Sequence, residues 1–302
     1  MGFLIGVIAA QISGHLGPTQ ISRTLSTFSS GNSHPLLTSG YSQGMAGTFP
    51  QANVFVSVGG YNPGVTYNNV YTISSGSSSF SSVTSYPTTI FQTAVMAFNG
   101  KFFVFGGNGQ NGYAGGGSTN SIYYMTTSLN SWTAGTSLIS SGGHGVGYTP
   151  NYLVVSDNSA WYRGTGTSTW TVTTTPPNSS PPVTLNSGYA YVNAGSSTYF
   201  TKDDGTTYTN AGITPPLSTG GSWYGNVYGQ TGYPIYAPYN TYYPSTPLMY
   251  YFSGYGYTST NVYPQFNQGG NYSNNAPLGD GILNNQFISM RAAAGQAYAT
   301  IN

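Results

Sequence analysis

Cysteine and glutamate are both missing from this 302-residue chain, and charge of either sign is scarce. Without cysteine there is no disulfide framework, no thiolate metal site and no cysteine nucleophile. The cations are Arg23, Lys101, Arg163, Lys202 and Arg291; the anions are Asp157, Asp203, Asp204 and Asp280. Together they make up 3% of the chain, where an ordinary soluble domain carries about 25%. Five scattered cations cannot build the stripe of positive charge that nucleic acid requires. Long surface helices depend on charged i,i+4 faces, so they are not expected either. Long apolar runs are also missing. The N-terminal run from Phe3 to Ala10 is eight residues, well short of the ~20 that span a bilayer. It resembles a signal-peptide core but lacks the basic segment in front, and is read as a buried β-strand. No membrane span and no nucleic-acid partner are expected.

Aromatic residues are plentiful: they reach 16% of the chain and include 29 tyrosines. Disordered chains combine few aromatics with high net charge, and the net charge here is only +1. The 43 glycines, with many serines, threonines and asparagines, predict short strands joined by many turns. The length suits one sizeable β domain, since barrels and sandwiches run to ~200–250 residues. Weak charge repulsion favours association, and a Tyr, Ser, Thr, Asn and Gly surface suits a subunit of a larger assembly.

One pattern recurs four times. An aromatic is followed nine positions later by another: Tyr71 and Phe80, Tyr123 and Trp132, Trp161 and Trp170, Tyr199 and Tyr208. The first aromatics lie 52, 38 and 38 residues apart, near the ~40–50-residue period of propeller blades. The intervening Ser, Gly, Asn and Asp are turn formers. The spacing therefore predicts a hairpin whose aromatics pair across the strands or stack on a neighbouring sheet. A second apolar run precedes each hairpin: VFVSVGG (54–60), FFVFGG (102–107), YLVVSD (152–157) and YAYVNAG (189–195). Further runs, TAVMAF (93–98) and GGHGVGY (142–148), lie upstream of two of these. One unit is thus about four short antiparallel strands.

Segment 100–138 resembles a kelch repeat, with Gly106 and Gly107 ending an apolar strand and Tyr123 and Trp132 at the family's aromatic places. Segment 52–83 is similar through Gly59, Gly60 and Tyr71, with Phe80 where the tryptophan would stand. The third and fourth units lose the paired glycines. The fourth resembles an Asp-box of sialidase-like propellers through Thr201, Asp203, Gly205, Thr207 and Tyr208. That resemblance implies an Asp that accepts backbone N–H bonds across a turn, a Gly at positive φ, and an aromatic packed between blades. The resemblances cover about residues 50–215. They imply one all-β domain over 1–302: a β-propeller of six or seven four-stranded blades. The clearest blades are expected at about 50–88, 89–140, 141–180 and 181–216. Residues 217–302 and 1–48 would supply irregular and closing blades. Residues 219–272, which hold 13 of the tyrosines, would be irregular blades or a tyrosine-lined surface. The tail from Phe287 is expected to pair with the N-terminal VIAAQIS, closing the ring as the kelch family does.

Candidate chemistry is thin. Sialidase chemistry needs three arginines around a carboxylate, a tyrosine nucleophile, a glutamate and an aspartic acid. Here the arginines are Arg23, Arg163 and Arg291, with Arg163 placed in a hairpin turn, and glutamate is missing. Other glycosidases need two carboxylates at a set separation. Asp203 and Asp204 belong to a turn, which leaves Asp157 and Asp280, themselves in turn-like VSDNSAW and LGDGIL. Calcium would need several converging oxygens around Asp203 and Asp204, or around Asp280. His15, His34 and His144 are far apart in sequence, so no metal site and no cofactor is expected.

Binding suits these residues better than turnover, because Tyr, Trp, Asn and Ser give rigid faces with polar tips. The connections YNPGVTYNN (61–69) and NGQNGYAGGGSTN (108–120) carry Tyr61, Tyr67 and Tyr113 as contact candidates. The expectation is a non-enzymatic structural or adhesion subunit of a virus particle, such as a phage tail, fibre or head-decoration protein. It would dock on other virion proteins or on copies of itself and touch host-surface glycans. The alternatives are a secreted or cell-surface lectin-like propeller and a degenerate glycosidase.

Overall fold

Short apolar runs divided by glycine and polar turns fold as strands. The one helical element among the described residues is a 3-10 turn, Pro50–Ala52. The computed structural model describes residues 29–30, 34–36, 45–62, 65–77, 79–91, 93–107, 119–139, 145–156, 160–175, 183–186, 189–194, 197–201, 204–213, 235–236, 249–252, 257–260, 277–283, 286–291 and 295–300. The N-terminal run 3–10 and VIAAQIS lie outside them. Among the described residues, no helix is long and apolar enough to cross a membrane.

The strands form six antiparallel sheets. Strand β1 (Ser29–Ser30) stands apart from those that follow it. The first sheet is β2 (Met45–Phe49), β3 (Val54–Asn62), β4 (Val65–Ser74) and β5 (Ser81–Val83), in that order. The second is β6 (Ala94–Phe98), β7 (Lys101–Phe105), β8 (Ile122–Thr126) and β9 (Thr133–Ala134). The third is β10 (Gly145–Tyr148), β11 (Leu153–Ser156), β12 (Trp161–Gly164) and β13 (Thr171–Val172). The fourth is β14 (Val183–Asn186), β15 (Tyr189–Ala194), β16 (Ser197–Thr201) and β17 (Thr209–Ile213). The fifth has three strands, β18 (Ile235–Tyr236), β19 (Met249–Phe252) and β20 (Tyr257–Thr260), within the tyrosine-rich 219–272. The sixth is β21 (Pro277–Leu283), β22 (Gln286–Arg291) and β23 (Gly295–Thr300), with β1 added at its edge. Ser29 pairs there with Tyr298 and Ser30 with Ala297. A strand from the N-terminal side thus completes the C-terminal sheet, through two serines.

All-β character and four-strand units are therefore both present. The first sheet starts at Met45, ahead of the expected boundary at 50. MAGTF carries a glycine and a threonine that dilute its apolar alternation, yet Ala46, Phe49 and Thr48 are buried. The wider 52-residue step between Tyr71 and Tyr123 reflects the long connection between β7 and β8.

Side-chain alternation explains why several strands are apolar on both faces. In β7, Phe102 and Val104 enter a core shared with Val54, Val56 and Val58 of the first sheet. Phe103 and Phe105 enter another, shared with Val146, Leu153 and Trp161 of the third. A period-2 strand buried on both sides reads as a continuous apolar run, which is what FFVF is. The same rule splits β3, where Phe55 turns away from Val54 and Val56. It packs with Leu283 and Ile288 of the sixth sheet. The leading strands touch in series: β21 meets β2, β2 meets β6, β6 meets β10, and β10 meets β14.

Candidate functional site

The recurring aromatics occupy equivalent places. In each hairpin the second aromatic directly precedes the outer strand: Phe80 before β5, Trp132 before β9, Trp170 before β13 and Tyr208 before β17. They are not cross-strand partners of the first aromatics, since Tyr71 lies opposite Ser82, Tyr123 opposite Ala134 and Tyr199 opposite Asn210. They reach the sheet before their own. The Trp132 indole N–H donates to the Thr84 carbonyl (3.0 Å), and its ring meets Tyr86 edge-on at 5.0 Å. The Trp170 indole donates to the Thr136 carbonyl (2.7 Å), and its ring meets Phe105 at 6.3 Å. Tyr208 meets Trp161 at 5.7 Å. Phe80 has no N–H to give and instead meets the His34 ring at 5.2 Å.

The paired glycines also have physical work. Gly59 and Gly60 have φ of +61° and +128°, and Gly106 and Gly107 have +52° and +100°. Both pairs adjoin the segment linking the first two sheets. Gly60 N–H donates to the Ile90 carbonyl at 2.8 Å. A β-carbon on Gly107 would lie 2.8 Å from the Phe91 carbonyl oxygen. In the Asp-box-like hairpin, Gly205 has φ +82° and its N–H donates to Thr201 Oγ1 at 2.9 Å. Asp203 lies outside the described residues.

The sheets present two different ends. The turns between first and second and between third and fourth strands share one end. Lys101, Arg163 and Asp204 are there. Lys101 Nζ sits 5.6 Å from the Tyr124 ring centroid, and the Arg163 guanidinium 5.4 Å from that of Tyr152. Arg163 also donates to Thr206 Oγ1 at 3.3 Å, and Thr149 donates to the Asp204 carboxylate. Arg163 thus belongs to β12 rather than to the turn expected from sequence, and it ties the third sheet to the fourth. The opposite end holds the connections between second and third strands. Tyr61 is buried there against Phe91, ring centroids 5.4 Å apart, and Tyr67 is half-buried in the cluster shared with the sixth sheet. Both belong to strands, because β3 and β4 extend through the expected loop and leave only residues 63–64 between them. Val65 and Ile139, 48% and 64% exposed, are on this end as well. Tyr113, Asp157, His15, His144 and Arg23 lie outside the described residues. Asp280 of β21 pairs through its backbone with Ser289.

His34 is buried between the segment before β2 and the first sheet. Leu36 N–H donates to Nδ1 at 3.2 Å, which makes Nδ1 an acceptor and leaves the proton on Nε2, 3.0 Å from Ser57 Oγ. The Tyr71 ring stands edge-on to it at 5.1 Å. Burial pushes its pKa down to about 4. Burial, with a smaller contribution from Tyr123, pushes the Tyr86 phenol up.

Two residue types escaped the sequence reading. Asn68 and Asn120 each stand three residues before the first aromatic. Each clamps the residue 18 positions on, Tyr86 and Leu138. Tyr86 N–H donates to the Asn68 carbonyl (2.8 Å) and Asn68 Nδ2 to the Tyr86 carbonyl (3.2 Å); Leu138 and Asn120 repeat this at 2.9 and 2.6 Å. Thr84, Thr136 and Thr174 each stand thirteen residues after the first aromatic. Each bonds the next sheet's hairpin, at Asn130, Gly166 and Gly205 respectively. Their spacing follows the aromatics, which is the signal that would have found them. Asn120→Ala is expected to cost about 1 kcal/mol, because the half-buried Leu138 carbonyl loses its side-chain donor; a chemical-denaturation midpoint checks it.

No family model matches the chain, and no curated protein matches it.

Proposed function

We propose that the six sheets are blades of a β-propeller and that the chain is a non-enzymatic structural or adhesion subunit of a virus particle, such as a phage tail, fibre or head-decoration protein. The series of touching leading strands supports the blade reading, as does the N-terminal strand on the sixth sheet. What carries the functional reading is how the described polar side chains are used. His34, Arg163, Asp204, Thr84 and Trp170 all bind one sheet to another or to a flanking segment. Such use suits a rigid part better than a catalytic one. The nearly uncharged, tyrosine-rich surface suits docking against other virion proteins or further copies, with host glycans as an added contact.

The test is immunogold labelling of particles pelleted from the source culture, with antibody to the purified chain. The same chain is run on a glycan array and against chromogenic glycosides. Label on particles is the expected result. Glycan binding by free monomer, with unlabelled particles, would replace this reading with the lectin-like one. Glycoside hydrolysis abolished by an aspartate substitution would overturn the non-enzymatic assignment.

A further inference from the structure

We propose that the end of the second, third and fourth sheets carrying Lys101 and Arg163 docks an acidic polysaccharide, one with repeated carboxylate or sulfate groups. This rests on the glycan contact proposed above and names its class. Charge is the first observation. Among the residues whose side chains are described, the charged ones are Lys101, Arg163 and Asp204, and all lie at this end. Thr149 donates to the Asp204 carboxylate. Lys101 Nζ lies over the Tyr124 ring. Arg163 gives one N–H to Thr206, with its guanidinium beside the Tyr152 ring. Among the described residues neither cation meets a carboxylate. A ring face holds a cation in place without neutralising it, so both keep N–H donors for an anion from outside.

Position is the second observation. Tyr124 packs on the core shared by the second and third sheets, whereas Thr206 belongs to the connection between β16 and β17 of the fourth. Lys101 therefore stands at one seam of the third sheet and Arg163 at the other. A ligand that meets both crosses the end of the third sheet, so it carries more than one acidic group along a chain. The turns beside that path are rich in hydroxyls. Thr126, Ser128 and Asn130 form one bonded set, and Thr165 and Ser168 another. A hydroxyl has one proton and two lone pairs, so these fixed sets still have lone pairs for sugar hydroxyls. Two cations are too few for duplex DNA, whose binding grows with the number of phosphates neutralised. They suit a weak saccharide contact that many copies on one particle strengthen.

Biolayer interferometry of the full chain at low salt tests this, on immobilised polygalacturonate and dextran sulfate. Methyl-esterified polygalacturonate, plain dextran and duplex DNA are the comparisons. The chain is expected to bind an acidic polymer and neither neutral one, and the tighter of the two acidic polymers identifies the anionic group. Lys101→Gln and Arg163→Gln should each weaken binding about tenfold, and Lys101→Arg should retain it. Arg291→Gln removes the same charge from the end of β22, at the β22–β23 connection, and should change nothing. Thermal midpoints show whether each variant is folded; if Arg163→Gln is not, Lys101→Gln against Lys101→Arg decides. No binding to either acidic polymer, the same loss in Arg291→Gln, or DNA bound as tightly as the acidic polysaccharide overturns the proposal. Particle labelling is read separately. Labelled particles without acidic-polymer binding sink this surface alone, and acidic-polymer binding with unlabelled particles sinks the virion reading alone.

Discussion

Gly59→Ala is expected to lower stability by about 3 kcal/mol or more. Two effects add. The residue has φ +61°, which costs an L side chain about 1 kcal/mol by itself. Its new β-carbon would also fall on the Ile90 carbonyl oxygen, with the Ile90 Cγ2 methyl 2.8 Å away. Ile90 cannot step aside cheaply. Its carbonyl accepts from Gly60 and its N–H donates to Tyr67 at 2.9 Å, with the side chain 1% exposed. Gly76→Ala separates the two effects: Gly76 has φ +76° with nothing within 4 Å of a β-carbon. That variant should lose only the conformational part, about 1 kcal/mol. Urea denaturation with unchanged m-values gives both numbers. Equal losses at the two positions would mean that the contact between Gly59 and the linking segment is misplaced.

Trp170→Ala should cost on the order of 3–5 kcal/mol. The side chain is 6% exposed and belongs to the core between the second and third sheets. It lies over Gly164, whose absent β-carbon leaves room for the indole: a β-carbon there would be 2.8 Å from Trp170 Cε3. Removing the indole opens a cavity between sheets that bonds on either side hold apart. Trp170→Phe refills most of that volume but strands the Thr136 carbonyl, and should cost about 1–2 kcal/mol. At Trp132 the indole bond is exposed, so water replaces the lost donor and Trp132→Phe should cost less. Guanidinium unfolding of the three variants tests the order. Equal costs for Trp132→Phe and Trp170→Phe would remove the explanation from the half-buried Trp170 bond.

Strands were legible where apolar residues run together, as in FFVF and TAVMAF, because few other conformations bury such runs. Their destinations were not: nothing in FFVF says that Phe102 and Phe103 serve different cores. The hairpins were legible from Tyr123 and Trp132, yet the target of Trp132 is a carbonyl 48 residues away. The glycine pairs announced a turn but not the linking segment that presses on them. Asn68, Asn120 and the threonines went unseen because polar residues in a serine- and asparagine-rich chain do not stand out. β1 was illegible for a related reason. Two serines have no apolar pattern, and their backbone pairs with β23, far along the chain.

That pairing has a consequence for synthesis. β1 leaves the ribosome before β2–β22, and β23 emerges after all of them. Until then β1 has no strand to pair with, and the first sheet lacks the sixth-sheet residues Leu283 and Ile288 against which Phe55 packs. Nascent chains therefore carry two unfinished edges while β2–β22 are made, and contacts so distant in sequence form slowly. Chaperone engagement during that interval, and aggregation of prematurely terminated chains, are the costs this arrangement imposes on a cell that makes the protein in quantity.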